Sequence, residues 1–265
     1  MSPAARLTTA RLAQLADELP TRYTTPLPHL ARARVLTGAH LDRLLSGPEL
    51  SGETTARVRR RIMTRLCRAG LVEMLGRRIG GARAGSAGHI YTLTSAGHTF
   101  LALLNDEPAP GRVRHSRNPG ALFLSHALTI SGIYVDLIEH SRGGEYHVAN
   151  FVTEPHCWHP TGNGTYLRPD TYTVLRTPTY ADCWWLEVDQ ATESSPRLRA
   201  KIRTYTNYLT TGGVGPDNVP PRVLITAPDQ MRADTITRLL GERVEPITIA
   251  THGQAAALMI SELKS

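Results

Sequence analysis

Apolar and polar positions alternate with two different periods along this chain, and the changes of period mark its elements. "TGAHLDRLL" opens on a threonine in capping position and sets Leu41, Leu44 and Leu45 at helical spacing before "SGP" stops it. "SGETTARVRRRIMTRLCRAG" predicts a second helix, with Val58, Ile62, Leu66 and Ala69 on one face and Gly70 as its stop. "LVEMLGRRIGG" and "GHIYTL" predict two short strands around a Gly/Arg-rich loop, and a capped helix begins near Thr94 or Ser95. Helix, turn, helix and a β-hairpin with a basic tip is the order of a winged helix-turn-helix.

"NDEPAPGRVRHSRNPGA" is rich in Pro, Gly and charge and reads as a linker. The predicted organisation is therefore a winged-helix domain with an N-terminal helix over 1–104, a linker over 105–120 and a second domain over 121–265. In that second part "ALFLSHALTISGIYVDLIEH" has helical spacing, and "EYHVANFVTEP", "DTYTVL" and "CWWLEVD" read as strands. "SPRLRAKIRTYTNYLTTGG" is a capped helix, and "PRVLITAP", without a charge after Arg222, reads as a central strand. A helix near Gln230 to Leu240, a strand "EPITIAT" and a last helix complete an α/β (α+β) fold with a mixed sheet flanked by helices.

Charge sharpens the first domain. The chain carries a formal +7 and a pI near 9.7, a balance that favours a polyanionic partner, nucleic acid before membrane. The excess is concentrated in Arg57, Arg59, Arg60, Arg61, Arg65, Arg68, Arg77, Arg78 and Arg83, with Arg43 upstream and Glu73 as the single acid between 57 and 83. On the second helix Arg57, Arg60 and Thr64 oppose the apolar stripe, Arg61 lies beside them, and Thr54 and Thr55 stand at the N-terminal end. A recognition helix in a major groove asks for that distribution. Arg77, Arg78 and Arg83 on the wing suit a phosphate backbone or a minor groove. Double-stranded DNA is the expected partner.

Three cysteines (67, 157 and 183) form no CxxC pair, there is no signal-peptide core, and no apolar run approaches the roughly 20 residues of a membrane span. A cytoplasmic protein with no membrane partner is expected.

In "WWLEVDQATES", Glu187 and Asp189 alternate with Trp184, Leu186 and Val188. A hairpin turning between Pro178 and Thr179 sets Leu175 against Asp182 and carries Asp170 opposite Glu187, within roughly 5.5 Å. Acids so placed repel one another unless a cation or protons intervene, so they predict a divalent-metal site. On the next helix Tyr205 shares an apolar stripe with Leu198, Ile202 and Leu209, and Lys201 borders it, placed to reach over the acids.

"RPD", "LEVD" and a following helix with Lys and Tyr resemble the PD-(D/E)xK nuclease superfamily. The winged helix together with "LSHALTISGIYVDL", "RPD", "LEVDQATES" and "KIRTYTNYL" resembles, more narrowly, the replication-relaxation family of plasmids and other mobile elements. The resemblance implies a DNA-binding protein acting in replication, DNA relaxation or transfer, with other plasmid replication or transfer proteins as partners. By motif match Asp170 and Glu187 are metal-binding acids, Glu139 is the candidate for the additional acid of the first helix, and Mg²⁺ or Mn²⁺ is the cofactor for nicking or cleavage. The superfamily expects Lys two residues after the Glu, where this chain has Asp189; either Lys201 takes that role or the scaffold only binds. A non-catalytic winged-helix regulator is thus the alternative to an endonuclease or nickase, and a homodimer is compatible with either.

Other constellations are thinner. "PHCWHP", with His156, Cys157, His159 and distant Cys183, matches no common zinc spacing. "GHIYTL" lacks the second His of a transesterifying relaxase, and no Gly-rich loop followed by Lys-Ser/Thr supports ATP use.

Overall fold

The computed structural model describes residues 7–46, 52–78, 88–108, 119–162, 164–241 and 247–263, without the side chains at 52, 53, 77 and 78. The chain divides into two units, Met1–Ser131 and Gly132–Ser265.

The first unit begins with α1 (Thr9–Glu18), capped by Thr8, then α2 (Thr21–Thr24) and α3 (Pro26–Ala33). β1 (Leu36–Thr37) leads into α4 (Gly38–Leu45), where Thr37 and His40 form a capping box. α5 (Gly52–Arg68), β2 (Val72–Arg78), β3 (His89–Leu93) and α6 (Ser95–Leu104) follow. The three strands pair antiparallel in the order β1-β3-β2, and Leu27, Leu30, Leu41, Leu66, Ile90 and Phe100 are among the core side chains. Gly70 ends α5 in the left-handed region at φ +71°. At Gly97 a Cβ would meet the Leu71 carbonyl oxygen at 2.0 Å, so only glycine lets α6 start there.

The inward face of α5 differs from the expected stripe. Thr55, Arg59, Ile62, Met63 and Leu66 are buried, while Val58 is exposed. The burial of Arg59 has a local cause: its Nε donates to Asp42 Oδ1 on α4 at 2.9 Å. A charge is accepted inside where a counter-charge meets it.

α7 (Ala121–Ser141) contributes to both units. By length and composition it is apolar enough to cross a bilayer, with mean hydropathy 1.6, contrary to the expectation that no run approaches that length. Leu124, Ile130, Ile133 and Leu137 are nevertheless buried within the protein, as in a core helix.

The second unit holds a five-stranded mixed sheet, order β10-β9-β8-β7-β4, with β4 (His147–Thr153), β7 (Thr171–Arg176), β8 (Ala181–Val188), β9 (Arg222–Ala227) and β10 (Ile247–Thr251). A two-stranded piece, β5 (His159–Pro160) and β6 (Tyr166–Leu167), precedes β7. β4, β7 and β8 pair antiparallel; β8, β9 and β10 run parallel. α8 (Ser195–Thr210), α9 (Gln230–Leu240) and α10 (Ala255–Glu262) complete the unit. β8 is interior, so both its faces are buried: Trp184 and Trp185 are each 0% exposed. Trp185 packs in a core with Leu198, Ile202 and Tyr205 of α8 and with Val223 and Ile225 of β9.

Candidate functional site

The β7–β8 hairpin has the register expected of it. Leu175 lies opposite Asp182 and Thr171 opposite Leu186, the last pair of the ladder; Asp170 stands just before β7, beyond that pair. There Asp170 N–H donates to the Leu186 carbonyl at 3.0 Å, and the Asp170 carboxylate accepts the Val188 N–H at 2.7 Å.

Glu187 is on the strand face that carries Trp185, and only 2% of it is exposed. The buried stripe Leu198, Ile202, Tyr205 of α8 brings two donors to it. Tyr205 Oη donates to Oε1 at 2.5 Å, and Lys201 Nζ donates to Oε2 at 2.9 Å. Lys201 also stands 3.3 Å from Glu193 Oε1. Burial raises the Glu187 pKa and the Asp170 charge adds to it; Lys201 and Tyr205 pull the other way, and the balance is about 7. Burial would lower Lys201, but the Glu187 carboxylate outweighs it and holds the ammonium above its ordinary range. Tyr205 is likewise raised, by burial and then by Glu187. The cluster is a carboxyl poised near neutrality between a fixed cation and a fixed hydroxyl.

Asp189 does not join that cluster. β8 ends at Val188, so the alternation stops, and Asp189 turns to Arg232 in the first turn of α9. Arg232 Nε donates to Oδ2 at 2.6 Å and Nη2 to Oδ1 at 3.1 Å, and the Ala191 N–H caps the same carboxylate at 3.2 Å. The bidentate pair fixes the turn after β8 to α9. Glu139 is half-buried on α7. Among the described residues no three His, Cys, Asp or Glu side chains gather as a ready-made metal cage. Two carboxylates, Asp170 just before β7 and Glu187 on β8, do match the oxygen-donor chemistry that Mg²⁺ or Mn²⁺ selects. Arg168 of "RPD" stacks over Trp158 at 4.8 Å.

The residues of "PHCWHP" serve separate partners. Cys157 donates its thiol to the Pro169 carbonyl, Cys183 lies 4.0 Å from Asp217, and the His159 ring meets the Tyr208 hydroxyl at 3.1 Å.

In the first unit the outward face of α5 is basic. Thr54, Arg57, Arg60, Arg61, Thr64, Arg65 and Arg68 are exposed. Thr55, expected with them, is 1% exposed and belongs to the interior stripe, because it stands one turn before Arg59 on the buried side. Arg77 and Arg78 close β2, with Arg78 paired to His89; Arg83 lies outside the described residues. The reading from sequence missed Tyr205 as a donor, Arg232 and the Asp42–Arg59 pair. Arg232 had a signal: "APDQMR" places it just beyond β9, and parallel neighbours share the edge at which Asp189 emerges.

The protein is a mixed α/β fold of two units, one presenting a basic helix and the other holding a buried glutamate paired with a lysine. A family model described as replication-relaxation matches residues 27–223. The chain belongs to the replication-relaxation family, which points to a role in replication or DNA relaxation. No curated protein and no solved structure matches it.

Proposed function

We propose that the protein binds duplex DNA through its first unit, as a winged helix with α5 as the recognition helix, in the replication or transfer of a plasmid or other mobile element. The observation that carries this is the segregation of arginine on α5: Arg59 is turned inward and neutralised by Asp42, while Arg57, Arg60, Arg61, Arg65 and Arg68 face solvent. A helix of that charge supplies both the phosphate attraction and guanidinium groups for guanine edges. Arg60→Ala with Arg61→Ala is expected to weaken duplex binding and to make its salt dependence shallower by about 1.8 in log–log slope. Unchanged anisotropy titrations would remove α5 from the interface.

A second reading concerns the acids Asp170 and Glu187, favoured by Lys201 lying against Glu187 and by the Asp170 charge that acts on it. The second unit then belongs to the PD-(D/E)xK type, and Asp170 and Glu187 would hold Mg²⁺ or Mn²⁺, with Glu139 the further candidate acid. The bound ion would supply phosphate polarisation and an acidified water for cutting a phosphodiester. Lys201 neutralises charge beside that position, Tyr205 orients Glu187, and Asp189 with Arg232 holds the neighbouring turn. The alternative is a binding-only scaffold, in which the lysine is the permanent counter-ion of Glu187. Conversion of supercoiled plasmid to open circles with Mg²⁺ or Mn²⁺, abolished by Asp170→Ala with DNA binding retained, distinguishes them. Intact plasmid with either ion supports the scaffold.

A further inference from the structure

α5 is a ridge between two clefts of the first unit. The α1–α2 corner walls a cleft of about 570 Å³ on one flank, and β2 with β3 walls one of about 680 Å³ on the other. Arg60, Thr64 and Arg68, spaced i, i+4, i+8, line both and form the crest. The flanks differ in chemistry. The hairpin cleft includes the acid Glu73. The α1–α2 cleft is edged by Arg22, Arg60, Arg61, Arg65 and Arg68, and among the described residues no carboxylate lines it.

Among the described residues Arg22, Arg61, Arg65 and Arg68 form no ion pair with a carboxylate, and Arg60 only adds to the field at Asp42, whereas Arg11, Arg59, Arg222 and Arg232 each pair with an acid. Like charges gathered without counter-ions repel one another, so the cleft is a strong anion attractor. An α-helix about 10–12 Å across fills a major groove roughly 12 Å wide, leaving one DNA backbone on each of its flanks. Of the two flanks, the α1–α2 side has no acid among its described residues.

We infer that the α1–α2 cleft receives the phosphodiester backbone of one strand, gripped by Arg22, Arg61 and Arg65, while the α5 crest lies in the major groove. Arg61 and Arg65 are one turn apart, about 6 Å along the helix, and Arg22 faces them across the cleft, its guanidinium 5.3 Å from the centre of the Tyr23 ring. Tyr23 is the single aromatic among the described lining residues and already carries Arg22. Among the described residues no row of stacking platforms for an unpaired strand lines the cleft, and the chemistry favours duplex backbone. The inference rests on duplex binding through α5 and adds its second wall.

The test is Arg22→Ala with Arg65→Ala in the full chain, both residues being exposed, with matched thermal melts to exclude unfolding. Fluorescence anisotropy is read over a salt series on two labelled duplexes of different sequence. The expected result is a salt slope shallower by about 1.8 and roughly tenfold weaker binding to both duplexes, with their affinity ratio unchanged. An unaltered slope and affinity, while Arg57→Ala with Arg60→Ala still weakens binding, overturns the cleft and leaves α5 standing. A changed ratio places Arg22 and Arg65 at base edges and also overturns it. No binding by the unaltered chain removes the α5 reading itself.

Discussion

Glu187→Gln exposes how the second unit carries its buried carboxyl. In the folded protein the Glu187 pKa is about 7 against an ordinary 4.5, chiefly through burial and then the Asp170 charge. Between those values the folded chain holds a proton that the unfolded chain has released. The associated stability is therefore complete below pH 4.5 and is lost as pH rises to about 7. At 1.36 kcal/mol per pKa unit the loss is about 3 kcal/mol, and the glutamine variant, which cannot release a proton, does not suffer it. The three tryptophans, Trp158, Trp184 and Trp185, all lie in the second unit, so urea unfolding followed by tryptophan fluorescence reports that unit. His159 is lowered by burial and contributes the opposite slope, but it is common to both chains and cancels in the difference. Relative to wild type, the variant should gain about 3 kcal/mol between pH 4.5 and 8. A difference that stays flat, or that moves the other way, refutes the reasoning about Glu187.

Three further outcomes follow from the same geometry. Arg232→Ala removes the bidentate partner of the buried Asp189 carboxylate, and should cost the second unit about 3–5 kcal/mol in urea unfolding. Arg59→Ala empties a wholly buried position and strands the partly exposed Asp42; a loss of about 3 kcal/mol by circular-dichroism melting is expected, with little change in DNA salt slope. Lys201→Met deprives Glu187 of its cation, so the pH at which the unit loses stability should move upward, seen as a displaced fluorescence-monitored pH profile.

The helices, strands and hairpin register were largely legible because capping residues, Gly stops and alternation act locally. Thr37, Thr94 and Gly70 mark element ends where the structure has them, and the turn at Pro178–Thr179 fixes which residues of β7 and β8 oppose. Side-chain partners set by distant elements were not legible. Val58 and Arg59 exchange the expected inside and outside of α5 because Asp42, on another helix, is positioned to neutralise Arg59. Asp189 leaves the acid face because β8 ends one residue earlier and Arg232 waits on α9. Burial of both faces of β8 depends on β9 pairing beside it, which alternation within β8 cannot reveal.

The most direct test of duplex binding through α5 is the salt dependence of the full chain on duplex DNA, followed by anisotropy. If the five exposed arginines of α5 are engaged, the log–log slope is about −4 to −5, and it becomes shallower by about 0.9 for each of them removed. A weak interaction whose strength is indifferent to salt, or to the loss of those arginines, contradicts it.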